Sequence, residues 1–400
     1  MSILLLTGGK LYTPKSEGIK DVLIANGRIL SIKSRIPGDM LAFLGEDKVK
    51  VVDVKGYMVI PGFVDQHVHI NGAGGEGGPQ YRTPPIQLSE LTRVGITSVV
   101  GLLGTDGITR SLRDLLMKAR QLEEEGISTW IYTGSYQVPS PTLTGSILSD
   151  IMLIDKVIGV KIALSDHRSS HPSVEMLKKI ASEARVGGIL SGKAGVVHVH
   201  MGEEKAGLKP ILEAIENTDI PIEQFTPTHL NRSEELLNQA IEFGRAGGYV
   251  DVTTCVSPEY GFKKAVKPSE AVRILMKNGV PTERITMSSD GNGSLPIFND
   301  RGELVKIGRA PVSSLYREFK DLVKREGISL EYAVKIVSTN IAKHLKLHTK
   351  GELRPGKDAD MLVLDEETLE IKYVIAKGEI VVEEGKPVKY GTFENKLGMS

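Results

Sequence analysis

Between residues 63 and 344, short apolar runs alternate with longer amphipathic stretches, and that alternation predicts the fold. The runs at 97–104, 128–136, 157–166, 195–201, 222–231, 249–255 and 285–291 have the length and β-branched content of buried strands. A further run at 61–69 supplies a first strand. Charged segments between the runs, such as 109–126 and 233–247, have helical spacing. Strands separated by helices imply parallel pairing. The expected class is therefore α/β, with a (β/α)8 barrel over 63–344.

The two ends of the chain have a different pattern. Asp21-Val-Leu-Ile-Ala-Asn26-Gly27-Arg-Ile-Leu-Ser-Ile reads as a hairpin, because Asn-Gly suits the two positive-φ positions of a type I′ turn. Residues 51–60 read as a further strand pair. After about residue 345 strands return, at 351–364 and 371–382, closing on the turn Glu384-Gly-Lys-Pro387. Neither end is large enough to bury a core alone. Residues 1–62 and 345–400 are thus expected to pack together as one small β-sandwich domain beside the barrel. The tail after Thr392 is expected to be mobile.

Composition narrows the partners. Fifty basic and fifty acidic residues cancel, which leaves no net charge drawing the chain to nucleic acid. The single cysteine, Cys255, rules out an intramolecular disulfide framework and fits a reducing compartment. It reads as a small buried filler. The first residues lack the basic start of a signal peptide, and no run approaches the ~18 apolar residues that span a bilayer. A cytoplasmic protein with no membrane partner is expected.

The chemistry lies at the ends of the predicted strands. His67 and His69 alternate on a strand and so share a face. From His69 to Lys161 is 92 positions, then 39, 29 and 61 to His200, His229 and Asp290. A barrel of ~250 residues spends roughly 31 on each strand–helix unit. The gaps therefore amount to about three, one, one and two units, placing these residues on strands 1, 4, 5, 6 and 8. Each falls near a strand's C-terminal end, where barrel enzymes keep their chemistry. Lys161 stands opposite the apolar face Ile158, Val160, Ile162 and Leu164, which turns it into the barrel. A buried lysine tends to lose its proton. The neutral amine can take up carbon dioxide, and the resulting carbamate can bridge two cations as a carboxylate would.

Histidine and carboxylate donors suit Zn²⁺ best, with Mn²⁺, Co²⁺ or Ni²⁺ as substitutes. Two such ions roughly 3.5–4 Å apart can hold a bridging hydroxide at neutral pH and polarise a carbonyl. Asp290 would take the hydroxide's proton and pass it to the leaving group. Of the other histidines, His198 reads as structural, His167 and His171 as solvated or supporting loop residues, and His344 and His348 as surface residues. Asp65 reads as an orienting group behind the ligands.

These residues carry a family resemblance. Pro-Gly-Phe-Val-Asp-Gln-His-Val-His at 61–69, with the lysine, two histidines and aspartate, resembles the amidohydrolase superfamily over almost the whole chain. Within it the chain is similar to the isoaspartyl (β-aspartyl) dipeptidase family. The matching segments are Gly72-Ala-Gly-Gly-Glu-Gly-Gly-Pro79, Gly104-Thr105, Gly134-Ser-Tyr136, Ser165-Asp-His-Arg168, Thr228-His-Leu-Asn-Arg232 and Ser289-Asp-Gly-Asn-Gly-Ser294.

The resemblance implies a small-molecule substrate, a dipeptide in which aspartate is linked through its β-carboxyl. It implies that Glu76 pairs with the substrate's α-ammonium, helped by the backbone at Gly74 and by Thr105. It implies that Arg168, Arg232 and Ser294 hold carboxylates, and that Tyr136 donates to the carbonyl oxygen as charge develops. One acid and two bases on the metal side also suit a zwitterion with two carboxylates. A homo-oligomer is implied too, with an octamer among the candidate assemblies. Two alternatives stay open: an amidohydrolase acting on a cyclic amide or N-acyl amino acid, and a non-catalytic scaffold of the same fold. The first has no use for an acid that anchors a free amine, and the second should have lost metal ligands.

Overall fold

The computed structural model describes residues 3–37, 48–298 and 304–394. Eight short parallel strands carry the centre of the chain: β6 (Phe63–Val68), β7 (Ile96–Gly101), β8 (Ser128–Gly134), β9 (Val157–Leu164), β10 (Val196–Met201), β11 (Phe225–Thr228), β12 (Val250–Thr253) and β13 (Ile285–Ser288). The first six pair in sequence order as one sheet, and β12 pairs with β13. The seams are bridged at both ends. Leu230 N donates to Asp251 O at 3.3 Å, and His69 N donates to Gly291 O at 2.9 Å beside a parallel Val68–Gly291 bridge. The strands are thus brought round in the order the sequence predicts.

Helices follow the strands and cover their outer face. Leu112–Glu125, Val174–Ser191 and Glu234–Arg245 each begin at a serine, Ser111, Ser173 and Ser233, whose hydroxyl accepts from a first-turn N–H. Their buried stripes, Leu115, Leu122, Leu177, Ala184, Leu237 and Ile241 among them, meet the outward strand residues Val160, Ile162, Val197 and Val199 in one apolar cluster. Helix and strand periodicity together explain why the inward strand positions are left for polar residues.

The two ends of the chain share a sheet. β1 (Ile3–Tyr12), β2 (Ser16–Ala25), β3 (Arg28–Lys33), β4 (Val49–Asp53) and β5 (Tyr57–Pro61) join β16 (Met361–Asp365), β17 (Ile371–Ala376), β18 (Glu379–Glu383) and β19 (Lys386–Pro387). Hydrogen bonding runs through all nine strands as one sheet. The expected pair within 51–60 differs. β4 and β5 lie end to end along β1, parallel to it at Ile3–Thr7 and at Lys10–Leu11, and do not pair with each other. The hairpin turn is as expected, with Asn26 at φ 51 and Gly27 at φ 76. Of the tail after Thr392, residues 395–400 lie outside the described residues, while Glu394 accepts hydrogen bonds from Ser89 and Gly391 N. Among the described residues no helix is long and apolar enough to cross a membrane.

Candidate metal centre and substrate pocket

Six residues converge at the C-terminal ends of the eight strands. His67 lies near the end of β6 and His69 just past it, Lys161 within β9, and His200 near the end of β10. His229 follows β11 directly, and Asp290 stands two residues past the end of β13. Both adopt left-handed backbone, at φ 65 and φ 53. That region is uncommon for residues with a Cβ and marks places where the surrounding fold holds a strained turn. Here the turn aims the side chain back over the strand ends.

Asp290 joins the two histidines of the first strand. Its Oδ1 lies 3.2 Å from His67 Nε2 and 3.1 Å from His69 Nε2. Lys161 Nζ lies 3.3 Å from the same His67 nitrogen. The His229 ring stands 5.1 Å from that of His67 and 4.5 Å from that of His200, centroid to centroid. His229 Nε2 is buried with no hydrogen-bond partner among the described residues, while its Nδ1 meets Thr253 Oγ1 at 2.8 Å. His200 is differently engaged: Nε2 lies 2.8 Å from Asp166 Oδ2 and Nδ1 2.7 Å from the Tyr136 hydroxyl. His67 and His69 are therefore joined through Asp290, Lys161 reaches the group through His67, and His229 packs against His67. His200 reaches the group only ring to ring.

This donor set suits a divalent cation. Burial, with the charge of Lys161, pushes His67 down to about 3, so its ring is neutral at neutral pH. Burial likewise holds His200 and His229 well below the usual imidazole range. Burial would raise the Asp290 carboxyl, but its pairing with His67 and the hydrogen bond of His69 hold it well below the usual range. Burial pushes Lys161 down to about 7, against the charges of Asp290 and Asp251. Neutral imidazoles, one carboxylate and an orphaned buried Nε2 are what a metal of borderline softness binds.

The substrate side is a polar cavity lined by His69, Glu76, Tyr136, Arg168, Arg232 and Asp290. Thr105 Oγ1 donates to Glu76 Oε1 at 3.0 Å, and Ser294 Oγ donates to Glu76 Oε2 at 2.7 Å. Arg168 Nη1 approaches the same carboxylate at 3.7 Å. Ser294, expected on a substrate carboxylate, is thus placed on Glu76. Arg168 forms a two-pronged pair with Asp166, Nε to Oδ1 at 2.9 Å and Nη2 to Oδ2 at 2.7 Å. Arg232 keeps a buried Nε without a hydrogen-bond partner among the described residues and leans over Phe262, with Glu203 at 3.7 Å. Gly74 has φ 88, and a Cβ there would run into the Tyr81 carbonyl oxygen, so the loop that presents Glu76 needs glycine at that point.

Several residues play parts that sequence reasoning missed. Asp166 orients both Arg168 and His200. Because its carboxylate can only accept, His200 must carry its proton on Nε2 and accept the Tyr136 O–H at Nδ1. Burial raises the Tyr136 hydroxyl far above its usual range, so it stays a donor. His198, expected to be structural, stacks on Tyr132 and sets its Nε2 2.9 Å from His67 Nδ1. It backs a candidate ligand directly. Asp65, expected to orient, accepts the backbone N–H groups of His67 and Ser289, each at 3.2 Å.

His344 corrects an expectation. It is buried, not a surface residue, stacked on Tyr249 with its Nε2 2.6 Å from Thr226 Oγ1 beneath the strands. His348, His167 and His171 are exposed as expected. Cys255 is buried, and burial pushes its thiol up, away from reactivity.

Comparison with known proteins accords with this geometry. Residues 58–381 match the model of the Amidohydrolase family. The crystal structure of a β-aspartyl dipeptidase from Fervidobacterium islandicum AW-1, in complex with β-Asp-Leu dipeptide, superposes with a TM-score of 0.87. The two chains are 42% identical, over 96% of this chain and 98% of that one. A dihydroorotase of Elusimicrobium minutum is 24% identical over 92% of this chain and 88% of its own length. An adenine deaminase of Geobacillus kaustophilus is 23% identical over 92% of this chain, which spans 58% of that longer protein.

Proposed function

The chain belongs to the amidohydrolase family and is a hydrolytic enzyme, and from that premise we propose that it cleaves isoaspartyl dipeptides, releasing aspartate and the second amino acid. The observation that carries this reading is Glu76. Its carboxylate is held by Thr105 and Ser294 in the cavity that also holds Asp290 and two arginines. An anchored acid facing a free amine, with Arg168 and Arg232 for two carboxylates, matches the charges of a β-aspartyl dipeptide. The 42% identity to the F. islandicum β-aspartyl dipeptidase supports the same substrate class.

His67, His69, Lys161, His229 and Asp290 would hold two divalent cations, with Zn²⁺ best suited to the donors; His200 would join them through Nδ1 by giving up the Tyr136 O–H, which also frees that hydroxyl for substrate. When bound, such ions supply a nucleophile at neutral pH and polarise the scissile carbonyl. Lys161, which burial pushes down to about 7, attacks carbon dioxide through Nζ as the neutral amine, loses a proton and becomes a carbamate. That change replaces a positive charge with a negative one beside the metal donors. Glu76 takes the substrate ammonium, with the Gly74 backbone beside it, and the arginines take the carboxylates. Tyr136 donates its O–H to the carbonyl oxygen as that oxygen gains charge. Asp290 Oδ2, which faces Cys255 Sγ at 4.0 Å and not the histidines, takes the attacking water's proton. It passes that proton to the leaving nitrogen as the C–N bond breaks.

The reading includes a 63–344 (β/α)8 barrel and a small β-sandwich domain from 1–62 and 345–400, which the sheet shared by both ends supports. It also includes a cytoplasmic homo-oligomer. The buried, unpaired Cys255 suits a reducing compartment. Leu153, Ile189 and Leu190, 71%, 60% and 63% exposed on two helices that pack together, offer apolar surface for a second copy.

Turnover of β-Asp-Leu against α-Asp-Leu tests the proposal. The expected result is strong preference for the β-linked dipeptide, with N-acetylation lowering kcat/KM by about 100-fold or more through loss of the Glu76 partner. Glu76→Gln should reproduce most of that loss on the free dipeptide and little of it on the acetylated one. Undiminished turnover of N-acetyl substrate would sink the reading and favour an N-acyl amino acid or a cyclic amide.

A further inference from the structure

We infer that Asp251 is a positioning residue for His229, acting through two threonine hydroxyls, and that this relay decides which His229 nitrogen faces the metal side. The inference rests on the reading of His229 as a metal ligand. Asp251 is fully buried on β12 and collects donors from three other strands. Gln66 Nε2 of β6 and Thr286 Oγ1 of β13 donate to Oδ1, each at 2.7 Å. Thr228 Oγ1 of β11 and Ser288 Oγ of β13 donate to Oδ2, each at 2.6 Å. From Thr228 the chain runs on to Thr253 Oγ1 at 3.1 Å, and from Thr253 to His229 Nδ1 at 2.8 Å.

Proton counting gives the relay a single direction. A carboxylate only accepts, so Thr228 spends its one O–H on Asp251 and can only accept from Thr253. Thr253 therefore spends its own O–H on Thr228 and can only accept from His229. The proton must sit on His229 Nδ1, leaving the lone pair on Nε2. That is the nitrogen with no partner among the described residues, buried between the His67 and His200 rings. A metal-bound imidazole is commonly fixed by a carboxylate on its other nitrogen. Here two hydroxyls stand between, so the carboxylate lies a layer below the ligands.

Two substitutions test it. Thr228→Val keeps the shape of the side chain and removes the hydroxyl. Thr253 then turns its O–H onto His229 Nδ1, and Nε2 takes the proton. Asp251→Asn reverses the relay with both threonines present. Gln66 Nε2 can only donate, so the new amide oxygen stays on its side. The new amide nitrogen faces Thr228 and Ser288, whose hydroxyls can turn round. The tautomer is read in the metal-free protein from the ¹⁵N shifts of His229, assigned by their loss in His229→Gln. Metal affinity is read by chelator competition with zinc, and folding by thermal denaturation.

Wild type is expected to carry the proton on Nδ1. Both variants are expected to move it to Nε2 and to weaken zinc binding about 10–100-fold. Thr228→Ser should restore both readings. A wild-type Nε2–H tautomer, or a folded Thr228→Val protein with wild-type tautomer and affinity, overturns the relay. If one variant fails to fold, the other decides by the same two readings. Zinc stoichiometry and affinity unchanged in His229→Gln would overturn the metal-ligand reading instead, while the metal-free tautomer still judges the relay.

Discussion

Replacing Asp290 by alanine is expected to lower kcat for β-Asp-Leu by about 10⁴-fold, the upper range for loss of a positioned acid–base group. Two roles meet in this carboxylate, and two substitutions separate them. Oδ1 lies within hydrogen-bond distance of both His67 and His69, so alanine removes the acid of the candidate metal cluster. Alanine also meets a backbone at φ 53, which aspartate and asparagine tolerate better, and should lose roughly 1 kcal/mol of stability there. Asparagine would keep the shape, the turn and one carbonyl oxygen for the histidines, but its amide cannot take up a proton. The expected pattern is metal lost and activity gone in Asp290→Ala. In Asp290→Asn, much of the metal is retained and kcat still falls by about 10³-fold. Metal content by atomic emission beside kcat distinguishes them. An asparagine variant keeping more than about a tenth of wild-type kcat would remove Asp290 from proton transfer and leave it a ligand alone.

What could be read from the sequence follows from which physical constraints are local. The Asn26-Gly27 turn was legible because two successive positive-φ positions admit few residue types. Lys161 was legible as an inward residue because strand alternation puts it opposite Ile158, Val160, Ile162 and Leu164. Its full burial beside His67 agrees with that expectation. The pairing of β4 and β5 with β1 was not legible, since parallel pairing across some 40 residues leaves no mark on either strand.

Polar strand positions were the least readable part of the site. Asp251, Thr228 and Thr253 acquire meaning only when β11 and β12 lie side by side, and nothing in a lone Thr or Asp names its partner. His198 looked structural for the same reason. The same blindness put His344 on the surface, since its stacking partner Tyr249 is 95 positions away. Glu76 and Ser294 sit 218 positions apart and join through one hydrogen bond. That contact ties the loop carrying Glu76 to the segment that follows Asp290.

Loss of Lys161 should be nearly as severe, for an electrostatic reason. An ammonium 3.3 Å from His67 Nε2 would oppose any divalent cation bound by that ring. As a carbamate, the same side chain becomes an anionic oxygen donor. Lys161→Ala is therefore expected to release most of the bound metal and to lower kcat by roughly 10³-fold or more, several kcal/mol of lost transition-state stabilisation. Lys161→Arg should do the same without leaving a cavity, because guanidinium stays charged and cannot take up carbon dioxide. In the alanine variant, the vacated space is polar at its mouth and lined by the remaining donors, so acetate or propionate with zinc should recover part of the activity. The arginine variant should not respond.

The amine's own titration supplies a further check. With Lys161 pushed down to about 7, the neutral fraction rises roughly tenfold between pH 6 and pH 8. Reconstitution of metal-free protein at fixed dissolved carbon dioxide should accelerate accordingly, with a ¹³C label from carbon dioxide appearing on the lysine. A metal-loaded, active enzyme with no label there, or a Lys161→Ala protein holding two metals at wild-type affinity, would refute the carbamate and leave Asp290 as the one anionic ligand among the six.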